Sequence, residues 1–114
     1  MWYSASLFFK SRHPDSPEND FLWENSVILI AAESVQEAAA IATRHGQTAQ
    51  HEYVSVLHER VEWTFERLEK VYEIDSENLA SGVEVFSRFL RESEVESLFT
   101  PFEDEIGPRP RNEG

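Results

Sequence analysis

The side chains to weigh first for chemistry are four histidines, His13, His45, His51 and His58, in a chain of 114 residues without cysteine. None forms a helical i,i+4 pair or an alternating-strand pair, and none stands at a ligand-like spacing from a carboxylate, so the donor set of a zinc site is missing. Glu52 adjoins His51, but neighbours on a strand point to opposite faces. A nucleophilic serine would need a base and usually a strained turn; no Gly-x-Ser-x-Gly occurs, and Ser4, Ser6 and Ser87 lie inside alternating patterns. Four glycines supply no phosphate-cradling loop. Carboxylate pairs are plentiful, but in so acidic a chain their pairing carries little information. The expectation is therefore no catalytic residues, no metal and no cofactor.

Arg88 is the more pointed candidate. It falls on the same side of an alternating stretch as Phe86 and Leu90, and a charge among apolar neighbours takes a partner. One reading is an ion pair with a strand carboxylate such as Glu24 or Glu62. The other is an anchor for an anionic group in a ligand-binding pocket walled by Trp2, Trp23 and Trp63, since pockets combine aromatic walls with few polar groups. Tryptophans also serve as core or interface residues.

These residues depend on elements that the pattern makes legible. Ser34–Gly46 has a helix start, body and stop. Ser34 and Glu37 form a capping box, an Ala-rich run follows, and Gly46 stands where a terminating residue is wanted. Val35, Ala38, Ala39 and Ala42, with Ile41 at the margin, make a stripe of small side chains that can lie close on a sheet. Before it, residues 2–10 alternate, with Tyr3, Ala5, Leu7 and Phe9 on one side and Trp2, Ser4, Ser6 and Phe8 on the other. Ser11–Asp20 is turn chemistry. Phe21–Ala32 is a second strand whose continuously apolar end, Val27–Ala32, fits a central position covered on both faces.

After the helix, Gln47–Ala49 connects to a strand over Gln50–Leu57, and His58–Arg60 turns the chain. Val61–Ile74 admits two readings. Val61, Trp63 and Phe65 are out of phase with Tyr72 and Ile74, which one β-bulge near Glu66–Arg67 would repair; Val61, Phe65, Leu68 and Tyr72 also align at helical spacing. Trp63, Thr64, Val71, Tyr72 and Ile74 favour the bulged strand. Asp75–Gly82 reads as a loop with one turn of helix, and Val83–Leu90 as a final strand. Ser93 and Glu96 form a second capping box opening a short helix that Pro101 ends. The expected fold class is α+β: an antiparallel-dominated sheet in β-β-α-β-β-β-α order, with the Ala-rich helix 34–45 on one face. Residues 1–100 form one domain, and 101–114 an acidic, Pro-rich tail expected to be flexible.

Met1–Leu7, Leu22-Trp23-Glu24 before a Val-Ile-Leu-Ile strand, the Ala-rich helix, Val61-Glu62-Trp63, Val71-Tyr72-Glu73 and Val85–Phe89 together resemble the bacterial domain-of-unknown-function family 4288. The resemblance covers roughly residues 1–99. It implies a small bacterial single-domain protein with no established activity, favours the strand reading of Val61–Ile74, and brings no catalytic residues.

Charge narrows the function classes. Twenty-two carboxylates against ten Lys and Arg give −12, and the last fourteen residues contribute only −2 of it, so the acidity belongs to the folded part. Such a surface repels phosphate backbones, which argues against nucleic-acid binding. No basic-then-apolar leader opens the chain, and its longest apolar run is too short for a bilayer. The expectation is a soluble, cytoplasmic, acidic interaction domain with a protein partner. That partner would be a basic protein, in an antitoxin- or immunity-like role, or a second copy forming a homodimer. The competing class is a small anionic-ligand-binding module or enzyme built on Arg88 and the tryptophans.

Overall fold

The computed structural model describes residues 1–16 and 22–100. Its elements are β1 (Trp2–Arg12), β2 (Trp23–Ala31), α1 (Val35–Thr48), β3 (His51–Val54), β4 (Arg60–Ile74), a single 3₁₀ turn (Ser76–Asn78) and α2 (Glu92–Leu98). The strands form one antiparallel sheet in the order β2-β1-β4-β3. The fold is α+β, with α1 packed on one face of the sheet.

That face holds the core. Tyr3, Ala5, Leu7 and Phe9 of β1, Ile30 of β2, and Val61 and Trp63 of β4 are buried against Ala38 and Ala42 of α1. The helix starts as the capping motif dictates: Glu37 N–H donates to Ser34 Oγ at 3.1 Å, while the Glu37 carboxylate accepts from Glu33 N–H at 2.6 Å. It does not stop at Gly46. The helix runs on to Thr48 with Ala49 as its C-cap, and Gly46 is buried inside it. A Cβ there would sit 2.4 Å from Phe65 Cδ1, so the glycine permits a close approach to β4 instead of ending the helix. The buried stripe is accordingly Ala38, Ala42 and Gly46, and Val35 is exposed.

Val61–Ile74 is a strand throughout, 15 residues with Arg60 included. Its pairing with β1 shifts twice, between Phe8 and Phe9 and between Ser6 and Leu7. The partners Phe9↔Phe65, Phe8↔Arg67, Leu7↔Leu68 and Ser6↔Lys70 leave Glu66 and Glu69 as the extra residues. The bulge expected near Glu66–Arg67 is there, but a second follows it. Two insertions restore the original phase. Tyr72 and Ile74 therefore pair with Ser4 and Trp2 on the face away from α1, and do not join Val61 and Trp63.

Three further expectations need correcting. β2 is an edge strand, and its apolar run is covered on one face only: Val27 and Leu29 are 46% and 61% exposed. Among the described residues the sheet has four strands; Val83–Leu90 pairs with none. This segment lies over the face opposite α1 as a strap, whose Val85 and Ser87 carbonyls accept from the side chains of Ser4 and Lys70. Finally, β3 is shorter than its pattern. Ser55 leaves the ladder to close the turn into β4, its N–H donating to Glu59 O at 2.8 Å and its Oγ accepting from Leu57 and Glu59 N–H, with His58 at φ 61°. The start of the expected second strand at Phe21, part of the Ser11–Asp20 turn region and the 101–114 tail lie outside the described residues.

Candidate functional site

The face of the sheet away from α1 carries a row of polar side chains. Ser4, Ser6, Phe8 and Lys10 of β1 alternate onto it, flanked by Leu29, Val27, Asn25 and Trp23 of β2 and by Tyr72, Lys70, Arg67 and Thr64 of β4. The small serines at its centre let the strap lie close. Ser4 Oγ donates to the Val85 carbonyl, Lys70 Nζ donates to the Ser87 carbonyl at 2.6 Å, and Tyr72 OH donates to the Glu84 carboxylate. Lys70 also sits over the rings of Tyr72 and Phe86, at 5.7 and 5.6 Å from their centroids. The bond to Glu84 is the main reason the Tyr72 phenol is raised above its usual pKa.

Arg88 closes a ring of four side chains on this face. Its Nη1 lies 3.7 Å from Glu69 Oε1 and donates to Asn25 Oδ1 at 3.4 Å; Asn25 Nδ2 donates to Ser6 Oγ at 2.7 Å, and Ser6 Oγ donates to Glu69 Oε1 at 2.7 Å. The expected ion pair of Arg88 with a strand carboxylate is thus made, but with Glu69 and not with Glu24 or Glu62. Glu69 is the extra residue of the second bulge, and that bulge places it on this face.

Beside the ring, Phe8, Trp23, Arg67, Leu68 and Glu69 line an open depression of about 530 Å³. Phe8 and Trp23 meet edge-on with centroids 6.3 Å apart, and Lys10 Nζ is 5.3 Å from the Trp23 ring centroid. Arg67 has no ion-pair partner among the described residues.

The three tryptophans do not share a wall. Trp63 is buried on the α1 face. Trp2 pairs with Ala31 at one end of the β1–β2 ladder and Trp23 with Lys10 at the other, eight residues along β1, or about 26 Å. Of the four residues read as ligand-binding, the structure brings Trp23 and Arg88 to one region and leaves Trp2 and Trp63 out of it. Arg67, Glu69, Asn25 and Ser6 were not foreseen there. Asn25, in the alternation Trp23-x-Asn25-x-Val27, was a usable signal; Arg67 and Glu69 depend on the bulges.

The histidines are scattered. His45 lies in the last turn of α1, His51 stacks on Tyr53 with centroids 6.1 Å apart, and His58 is in the β3–β4 turn. Among the described residues no group of three His, Asp or Glu could share a metal ion, and no helix is long and apolar enough to cross a membrane.

The fold and this face define a small single-sheet α+β domain with one side packed and the other strapped and half open. The chain matches the family model described as Domain of unknown function (DUF4288) over residues 2–87, and it belongs to that family. No curated protein and no solved structure matches it.

Proposed function

We propose that this domain is a non-catalytic protein-interaction module whose working surface is the half-open face of the sheet. The observation that carries the reading is β2. Its apolar run is built like a strand buried on both faces, yet Trp23, Val27 and Leu29 are exposed beside the strap. An apolar row of this kind on a single chain marks a surface that another protein covers. The charge of −12 favours long-range steering of a basic partner and keeps the uncovered face from indiscriminate association. An antitoxin- or immunity-like role belongs within this reading, and so does assembly of the chain with itself. The depression beside Arg67 and Arg88 supports a second reading, binding of a small anion between a cation and aromatic walls.

Photo-crosslinking in the native host tests the main reading. A photoreactive residue in place of Leu29 is expected to give protein adducts, including self-adducts, while one at Ala40 on the exposed side of α1 gives none. Absence of adducts at Leu29, together with a thermal shift on adding anionic metabolites that Arg67→Ala abolishes, would replace it with the second reading.

A further inference from the structure

The half-open face has a counterpart on the same chain. α2 and the residues leading into it, 89–100, are exposed without exception. Yet Val95, Leu98 and Phe99 recur at helical spacing and form an apolar stripe. Phe89 and Leu90 precede them, and Leu98 and Phe99 are 64% and 84% exposed. The helix does not begin where Ser93 and Glu96 suggest. Glu94 accepts the Arg91 N–H at 2.6 Å and pairs with the Arg91 guanidinium at 3.7 Å, so α2 starts one residue before Ser93. That leaves Glu92 and Glu96, one turn apart beside the apolar stripe, without a cation among the described residues.

The two surfaces complement each other in charge as well as in polarity. In a chain with more than two carboxylates per cation, five of the ten Lys and Arg, namely Lys10, Arg12, Arg67, Lys70 and Arg88, collect on the face away from α1, Arg12 opposite Glu62 at its end. Lys70 and Arg88 hold the strap, Lys10 lies on Trp23, and Arg67 is left at the depression with no carboxylate of its own. The carboxylates nearby are already engaged: Glu69 by Ser6 and Arg88, Glu66 by the Thr64 hydroxyl. An apolar stripe edged by Glu92 and Glu96 is what the floor of Phe8, Trp23 and Leu68 beside Arg67 would accept. Within one chain α2 does not bury itself on its own sheet, since every residue from 89 to 100 is exposed.

We infer that two copies of this chain form a reciprocal dimer in which α2 of each lies in the Phe8–Trp23–Arg67 depression of the other, its Glu92 and Glu96 facing Arg67. This rests on the half-open face being an interaction surface, and names the partner. A two-fold arrangement uses both surfaces of each chain, so every apolar residue counts twice. A stable dimer buries about 800 Å² per partner, and Trp23, Val27, Leu29, Phe89, Leu90, Val95, Leu98 and Phe99 offer exposed apolar area of that order.

Charge exchange tests it. By sedimentation velocity the wild-type chain is expected at twice its monomer mass. Arg67→Glu alone, and Glu92→Lys with Glu96→Lys, should each weaken the dimer on the order of 100-fold through like-charge contact. Mixing those two variants should restore a dimer, since the mixed pair makes both contacts with opposite charges. Unchanged circular dichroism of each variant shows that folding is not the cause. A wild-type chain that stays monomeric at every concentration overturns the dimer, and so does a dimer indifferent to these charges. Leu29 adducts in the host would still uphold an interaction face for some other protein.

Discussion

Inside α1, Gly46 is buried against the Phe65 ring of β4. In an exposed helix, glycine to alanine is worth up to about 1 kcal/mol of stabilisation. Here the added methyl would meet the Phe65 ring at 2.4 Å, and that ring is held in turn by Phe9, with centroids 5.7 Å apart. Gly46→Ala is therefore expected to destabilise the chain by about 1–3 kcal/mol, measured as a lower urea midpoint at unchanged slope. Phe65→Leu in the same chain should recover part of the loss. Tyr72 gives the second prediction at this scale. Its phenol is raised chiefly by the bond it donates to Glu84, and Tyr3 is raised by burial and then by Glu73, Glu33 and Glu37. The folded state holds both protons more tightly than the unfolded chain, whose tyrosines ionise near pH 10. The associated stability is complete below that pH and is lost as pH rises through the higher folded values. Tyr72→Phe should flatten the alkaline fall, and the phenolate absorbance of the wild type should appear later than that of unfolded chain.

At the scale of elements the instructive one is β4. Its residue types identified a strand, and its broken alternation located one bulge, because a phase error shows up as apolar residues on the wrong side. A pair of bulges hides itself: the second cancels the first, and only the short stretch between them is displaced. A single bulge puts Tyr72 and Ile74 in phase with Val61 and Trp63, whereas the pair puts them on the other face and turns Glu69 toward Arg88. β2 shows a related limit: a continuous apolar run reads the same whether the strand is central or, as here, at the edge with Val27 and Leu29 exposed. The cap at Ser34, the class of fold and the face of α1 on the sheet were legible because they depend on neighbours in sequence. The strap, the Arg88 ring and the depression depend on long-range register. Deletion tests the cancellation directly. Removing Glu66 or Glu69 singly throws one end of β4 onto the wrong face, at a cost of several kcal/mol, seen as loss of cooperative unfolding. Removing both should restore alternation and recover a cooperative transition, although the Glu69 contact to Arg88 is gone.

For the molecule as a whole, one central strand carries two different interiors. The α1 side is apolar and closed by small residues; the other is polar at its centre, where Ser4, Ser6, Lys70 and Arg88 fasten the strap. The strap has no ladder bonds, and Glu69 and Arg88 are each about a third exposed, at 33% and 29%, so their pair contributes roughly 1 kcal/mol or less. Residues 83–90 should therefore exchange amide hydrogens through a local opening far cheaper than global unfolding. Tyr72→Phe, which removes the bond to Glu84, should speed that exchange at fixed pH while the amides of β1 and β4 keep their protection. The strap is in effect a latch with its own equilibrium. When it lifts, the serine row and Lys70 come to light next to Val27 and Leu29, joining a polar row to an apolar one without any strand having moved.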